Sequence, residues 1–180
     1  MSTWEMLQGG NAQSTCSRIQ HRRPVPASQE QSPPYGVQRY ACQVEAPRVV
    51  PLKRYLDANG SLLVLEEGVV PFPVVRTFVV QADAGQVRGR HAHLECSQFL
   101  AVVQGTVRVS YHHGLRSGEF GLTPDSGALL MPPLTWAEQL YVEDQSTLVV
   151  ACDKAFNEWD YIRDWATFSE LTERMMHSGK

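Results

Sequence analysis

Apolar residues occur in short runs from about residue 49 onward, and turn-forming residues separate these runs. Asp57–Gly60 and Gln104–Gly105 carry residue types that are typical of tight turns. Because no helical period alternates with the runs, the pattern predicts eight or more short strands in an all-β sandwich or barrel. The predicted strands are Leu62–Leu65, Val74–Val80, Gln98–Val103, Thr106–Tyr111, Glu119–Leu122, Ala128–Met131, Gln139–Val142 and Thr147–Cys152.

One short C-terminal helix is predicted near residue 165. Trp165, Phe168, Leu171 and Met175 recur at helical spacing and form one apolar stripe. Asp164 directly precedes the stripe and is a suitable N-cap. We therefore expect this helix to pack against the outside of the β-structure.

Residues 1–47 differ from the remainder of the chain in composition and in the pattern of apolar residues. They are rich in Gln, Ser, Pro and Gly, and they show no apolar periodicity. We expect a flexible N-terminal extension over 1–47 and a single folded domain over 48–180.

Composition narrows the possible partners. The net charge of −3 over 180 residues does not favour nucleic-acid binding or attraction to an anionic membrane surface. No apolar run is long enough to cross a bilayer, and the first residues lack the pattern of a secretory signal. The four cysteines form no CxxC pair, which indicates reduced thiols in a cytoplasmic protein.

The most informative residues are His91 and His93. Alternation along a strand directs both imidazoles to the same face, where two adjacent histidines are costly to bury as ordinary core. This pattern indicates a metal site or an acid/base site. His112 and His113 precede Gly114 and are expected in a solvated hairpin loop.

The spacing G-x5-H-x-H-x4-Q-x6-G, from Gly85 to Gly105, resembles the first motif of the cupin superfamily of small antiparallel β-barrels. Metal-binding cupins carry Glu at the position of Gln98, and an amide is a weak ligand. The region of the second motif, residues 127–138, contains no histidine. A metal-dependent cupin enzyme, dioxygenase-like, would have to use His91, His93 and Glu138.

Further motifs extend the resemblance over residues 48–170. They are Asp57-x-x-Gly60-Ser61-Leu62 with Glu66, Phe72-x-x-x-Arg76, Arg88-Gly89-x-His91-Ala92-His93, Pro132-x-x-x-Trp136-x-Glu138 and Asp160-Tyr161-Ile162-Arg163-Asp164-Trp165. Together they resemble the dTDP-sugar 3,4-ketoisomerases, which are WxcM-like or FdtA/QdtA-like cupins.

This resemblance implies an RmlC-like jelly-roll barrel that acts on a nucleotide-linked 4-keto-6-deoxy hexose of the dTDP-4-keto-6-deoxyglucose type. The carbonyl would move from C4 to C3 through an enediol, which supplies a substrate for deoxyamino-sugar biosynthesis. No metal or other cofactor is implied. A cytoplasmic homodimer is expected, and the nucleotide and the configuration of the product remain open.

The resemblance also implies residue roles. His91 and His93 would form the catalytic acid/base pair, with His91 preferred as the main base. Arg76 and Arg88 are candidates to hold the diphosphate, because a guanidinium binds phosphate oxygens in a bidentate manner. Trp136 and Glu138 are candidates to line the substrate pocket, although Trp136 is equally plausible as core.

One residue departs from the family pattern. Family members usually carry a tyrosine in the strand after Arg76, whereas Phe78 provides an aromatic ring without a hydroxyl. Another group, such as Tyr141 or Glu138, could replace that hydroxyl. Alternatively, the chain could be a non-catalytic cupin that binds a sugar nucleotide.

Overall fold

The computed structural model describes residues 45–177, so nearly all of the extension predicted over 1–47, including Cys16, His21 and Cys42, lies outside the described residues. The strands are β1 (Arg48–Val50), β2 (Arg54–Asp57), β3 (Gly60–Leu63), β4 (Arg76–Ala82), β5 (Val87–His93), β6 (Gln98–Gln104), β7 (Val107–His113), β8 (Arg116–Leu122), β9 (Ala128–Met131), β10 (Thr135–Tyr141), β11 (Ser146–Cys152) and β12 (Tyr161–Ile162). A short 3-10 helix, Glu158–Asp160, precedes β12, and the helix α1 spans Trp165–His177.

The strands form two five-stranded antiparallel sheets and one hairpin. The first sheet has the order β1-β9-β6-β11-β4, and the second has the order β12-β5-β10-β7-β8. Strands β2 and β3 pair only with each other. Strands that are neighbours in a sheet are often distant in the chain, as in β1 with β9 or β5 with β10, so both sheets are built from long-range contacts.

The main core lies between the two sheets. It combines Leu100, Val102, Leu148 and Val150 from the first sheet with residues of the second, among them Val107, Val109, Ala137 and Tyr141. The alternating burial of β7 fits a strand with one face in this core. At one end of the space between the sheets, the apolar residues give way to the polar side chains of the candidate site.

Helix α1 covers the outer face of the second sheet, as its apolar stripe predicted. Phe168 is 2% exposed and packs in a cluster with Ala92, Trp136 and Ile162. The Asp164 carboxylate accepts a hydrogen bond from the backbone N–H of Thr167 at 2.7 Å, which confirms Asp164 as the N-cap. Consecutive residues of β5 therefore serve different layers: Ala92 faces the helix, whereas His91 and His93 face the other sheet.

The β-rich architecture with one C-terminal helix is confirmed for residues 45–177, but several strand boundaries differ from the prediction. Strand β3 lies two residues earlier than the predicted Leu62–Leu65, and β8 starts three residues before the predicted Glu119. Strand β4 begins and ends two residues later than the predicted Val74–Val80. Strand β10 starts at Thr135, four residues before the predicted Gln139, directly after Leu134 with its positive φ of 57°.

The expectation of a solvated loop at His112 and His113 is wrong, because strand β7 continues through both residues. The His112 ring lies 4.8 Å from that of Trp165, and His113 shares a hydrogen bond with the Thr135 hydroxyl at 2.9 Å.

Candidate active site

A β-bulge sets the direction of the two histidines. Gly89 pairs with Glu138 and His91 pairs with Ala137, so Arg90 is the extra residue in β5. Gly89 and Arg90 both have positive φ, at 82° and 58°. After the bulge, regular alternation places both imidazoles on the inner face, with their ring centroids 5.1 Å apart.

His93 is held at both ring nitrogens. Its Nδ1 lies 2.7 Å from the Asp160 carboxylate, and its Nε2 lies 3.2 Å from the amide nitrogen of Gln98. Since the amide N–H donates to Nε2, the proton of a neutral His93 resides on Nδ1 and is donated to Asp160. The residue is 5% exposed, so this network fixes both its orientation and its tautomer.

Asp160 is a well-satisfied carboxylate. Its second oxygen accepts a hydrogen bond from the backbone N–H of Glu95 at 2.7 Å. Burial opposes ionisation, but the hydrogen bonds from His93 and Glu95 outweigh burial and lower the pKa of Asp160. A negative charge is therefore held directly behind His93.

His91 has the features of an available base. Its Nδ1 donates a hydrogen bond to the carbonyl of Gly89 at 3.0 Å, and Nε2 has no hydrogen-bond partner within residues 45–177. Burial, together with the nearby charges of His93 and Arg163, lowers the pKa of His91 below its ordinary value. The ring is therefore neutral near pH 7 and presents a free lone pair.

Tyr161 adds a phenol to the two imidazoles. It pairs with His93 across β12 and β5, and its ring centroid lies 4.3 Å from that of His93 and 5.0 Å from that of His91. Burial opposes the positive charge of Arg76, but hydrogen bonds from its guanidinium to Cys152 and to Tyr161 outweigh burial and raise the pKa of Arg76. A hydroxyl and a fixed cation are therefore present at the same site.

Arg76 connects the site to two buried cysteines. Its Nη2 lies 3.4 Å from the Cys152 sulfur, and Cys152 is also hydrogen-bonded to the Cys96 thiol. The Cys96 contact is the main cause of a lowered pKa at Cys152, and Arg76 adds to it. Both cysteines are free thiols, as expected for this part of the chain.

Arg88 is exposed on β5 and pairs with Gln139, which lies between Ala137 and Tyr141 on β10. Those two neighbours face the main core, so alternation directs Gln139 and Arg88 to the inner side of the sheet. Arg76 and Arg88 therefore approach the space between the sheets from opposite walls.

Trp136 and Glu138 are not brought to the histidines. They line a cavity of about 230 Å³ on the helix side of the second sheet, together with Ser110, His112 and Trp165. Glu138 pairs there with Arg90 at 3.7 Å, and Trp136 packs on Trp165 and Phe168. Their role in substrate binding stays a prediction. The ligand set His91, His93 and Glu138 does not converge, so the structure does not fit that metal centre.

The hydroxyl missing at Phe78 is not supplied by the two groups considered from the sequence. Tyr141 is fully buried in the main core, where burial raises its pKa to about 12, and Glu138 lies on the other face of the sheet. Tyr161 carries a hydroxyl, and its ring contacts both histidine rings. Asp160 and Tyr161 belong to the motif at residues 160–165, but their distance of about 70 residues from His91 along the chain conceals the contact in the sequence.

This is a cupin-type β-structure in which a histidine pair and a tyrosine line the space between two antiparallel sheets. A family model described as FdtA, WxcM-like, C-terminal, matches residues 45–173. The chain therefore belongs to the WxcM-like family of sugar 3,4-ketoisomerases, and the resemblance found in the sequence is confirmed.

Individual relatives agree with this assignment. TDP-4-oxo-6-deoxy-alpha-D-glucose-3,4-oxoisomerase of Aneurinibacillus thermoaerophilus is 29% identical over 130 residues, which cover 71% of this chain and 94% of that protein. A 3,4-ketoisomerase from Helicobacter canadensis superposes with a TM-score of 0.66 at 25% identity, covering 71% of this chain and 97% of its own.

A variant of QdtA, a 3,4-ketoisomerase from Thermoanaerobacterium thermosaccharolyticum, has been solved with TDP-4-keto-6-deoxyglucose. It has a TM-score of 0.68 at 22% identity and covers 73% of this chain and 97% of its own. This likeness supports the predicted cupin fold. Among the described residues, no helix is both long and apolar enough to span a membrane.

Proposed function

We propose that this protein is a 3,4-ketoisomerase of a nucleotide-linked 4-keto-6-deoxy hexose, of the TDP-4-keto-6-deoxyglucose type, and that it serves deoxyamino-sugar biosynthesis. The observation that carries the proposal is the neutral His91 with a free Nε2, beside a His93–Asp160 pair. Relatives that perform this reaction support the substrate class.

In the proposed mechanism, His91 removes the proton from C3, which the C4 ketone acidifies. The product of this step is the enediolate that spans C3 and C4, with its negative charge on the C4 oxygen, and His91 becomes an imidazolium. The Asp160 carboxylate, hydrogen-bonded to His93, offsets the unfavourable effect of the His93 charge on that imidazolium, because the two imidazole rings are only 5.1 Å apart.

A proton then has to reach C4, while the hydroxyl on C3 passes its proton to the C4 oxygen and becomes the new carbonyl. We assign delivery to Tyr161, whose hydroxyl replaces the one absent at Phe78. The hydrogen bond to the Arg76 guanidinium stabilises the phenolate that remains, and His91 returns a proton to it at the end of the cycle.

Arg88 and Arg76 are proposed to bind the diphosphate from opposite walls of the barrel. Arg88 is exposed and accessible to a ligand, whereas Arg76 is half-buried and has a second role at Tyr161. The proposal uses no metal and no other cofactor.

The quaternary structure and location belong to the same proposal. A cytoplasmic homodimer is expected. Strand β4 ends the first sheet, so within residues 45–177 its outer edge pairs with no other strand, which supports pairing of this edge with a second copy.

The test is incubation with TDP-4-keto-6-deoxyglucose in heavy water, followed by NMR of the sugar. The wild-type protein should form the 3-keto isomer and incorporate deuterium, and His91→Asn should abolish both. His112→Asn is the matched control, since His112 is exposed on the other face of the second sheet, and it should retain the wild-type rate.

Deuterium exchange at the wild-type rate in His91→Asn would reject His91 as the base. Ligand binding without turnover by the wild-type protein would instead identify a sugar-nucleotide-binding cupin. Loss of activity after dialysis against a chelator would support metal-dependent chemistry.

A further inference from the structure

We propose that His93, Cys96 and Asp160 form a binding site for a divalent transition metal ion of the zinc class. A nitrogen of His93, the sulfur of Cys96 and a carboxylate oxygen of Asp160 all lie within 4.8 Å of one another. This set differs from His91, His93 and Glu138, the set considered from the sequence, and it shares only one residue with that set.

Two of the three donors are already close to the separation that a metal requires. Zinc bonds of about 2.0–2.3 Å place tetrahedral ligand atoms about 3.3–3.6 Å apart. His93 Nδ1 and the Asp160 oxygen are 2.7 Å apart around a shared proton, so a metal ion in place of that proton requires an opening of about half an ångström.

The donor chemistry suits an ion of this class. Imidazole, thiolate and carboxylate are all common zinc ligands, and the thiolate disfavours Mg²⁺ and Ca²⁺. Cys96 is 2% exposed and His93 is 5% exposed, so the metal would be largely withdrawn from water. One thiolate and one carboxylate balance the two positive charges of the ion, so the desolvation cost of burying the neutral complex is low.

Protons balance as follows when the metal binds. The Cys96 thiol releases its proton to solvent. His93 moves its proton from Nδ1 to Nε2, and the Gln98 amide turns so that its oxygen accepts the new N–H. The Cys96 thiol also gives up its hydrogen bonds to Cys152 and to the Ser97 carbonyl, and no oxidant or reductant is needed.

Metal binding should also affect catalysis. This second part of the proposal rests on the proposed function. With Asp160 bound to the metal, its charge is neutralised and no longer stabilises a protonated His91. The metal-bound protein should therefore be inactive as an isomerase, so metal binding and catalysis should exclude each other.

Cobalt(II) added alone to the purified full-length protein tests the site. A thiolate ligand gives an intense near-ultraviolet charge-transfer band, and visible bands report tetrahedral coordination. We expect one equivalent of cobalt to produce both signals in the wild-type protein and Cys96→Ser to lose the thiolate band. Cys152→Ser is the matched control, because Cys152 is a second buried thiol that is not among the three clustered donors.

Absence of the band from the wild-type protein would overturn the site, as would its persistence in both Cys96→Ser and Cys96→Ala. Loss of the band in Cys152→Ser, with retention in Cys96→Ser, would also overturn it. Circular dichroism of each variant establishes that it is folded.

The coupling to catalysis has a separate test. Zn²⁺ should inhibit the wild-type isomerase, and Cys96→Ser should retain basal activity while needing about 100-fold more Zn²⁺ for half-inhibition. Equal sensitivity of the two proteins would overturn the coupling. Because the cobalt signal requires no substrate, failure of the proposed isomerase function would leave the spectroscopic result unaffected.

Discussion

At the scale of single residues, Asp160 determines how His93 is presented. One carboxylate oxygen accepts the His93 Nδ1 proton, and the other accepts the backbone N–H of Glu95. Both contacts favour the ionised acid, so the tautomer of His93 depends on a charge that the fold holds in place. Asp160 acts through His93 and is therefore a positioning residue.

Asp160→Asn removes this charge with almost no change in volume. We expect kcat to fall by about 100-fold or more, with a smaller change in KM, because the protonated His91 loses its nearby counter-charge. The matched control is Asp164→Asn, which alters a carboxylate of the same motif at the exposed start of α1. Because asparagine is also a good N-cap, this variant should reduce stability only slightly and leave kcat unchanged. Equal values of kcat in the two variants would contradict the role of Asp160.

Tyr161→Phe retains the ring that packs on both histidines and removes only the hydroxyl. If this hydroxyl delivers the proton to C4, removal of the C3 proton by His91 should continue. NMR in heavy water should then show deuterium entering recovered substrate while product formation falls by about 100-fold. Tyr111→Phe is the control, since its ring stacks on Phe120 of β8 and does not contact the histidines. Equal loss of exchange and product formation would argue against delivery by Tyr161.

At the scale of elements, the bulge in β5 is the feature that positions the histidines. A Cβ on Gly89 would lie 2.7 Å from the carbonyl oxygen of Ala137, so only glycine fits there without a shift of one strand. The Gly89 carbonyl is also the acceptor for His91 Nδ1. The backbone conformation and the orientation of the base are therefore coupled.

Gly89→Ala should consequently affect both stability and activity. Gly85→Ala provides a close control, because Gly85 has a φ of 81° against 82° for Gly89, but a Cβ at Gly85 would meet nothing within 4 Å. We expect Gly85→Ala to lower the free energy of unfolding by about 1 kcal/mol and Gly89→Ala by about 2–3 kcal/mol, with a fall in kcat only for Gly89→Ala. Urea denaturation and the isomerase assay measure these effects, and similar losses in both variants would show that strain alone, without contact, explains them.

The sequence predicted best those elements whose determining residues lie close together along the chain. The helix follows from an apolar stripe and an N-cap within a few residues, and the turn at Gln104–Gly105 follows from its residue types. The start of β10 could not be predicted in this way. It depends on the unusual backbone of Leu134 and on long-range pairing with β5 and β7.

At the scale of the whole molecule, the site combines residues from both sheets. The histidine pair was predictable because alternation within one strand is local. Gln98, Cys152 and Tyr161 come from other strands, and only the folded pairing order brings them together. A motif also does not say which face its residues occupy: Trp136 and Glu138 alternate with the core residue Ala137 and so face the helix.

The assembled site should also make the whole protein sensitive to acid. The fold lowers the pKa of His91, through burial, and that of Asp160, through its hydrogen bonds. In both cases the unfolded chain binds the proton more readily, so the stability that each group contributes is present above its ordinary pKa and is lost as the pH falls through the lower folded value. The free energy of unfolding, measured by urea denaturation, should therefore decline as the pH falls below about 6.5, and decline further below about 3.8. His91→Asn should flatten the upper part of this decline and Asp160→Asn the lower part. A rise in stability over the upper range would contradict the assigned direction for His91.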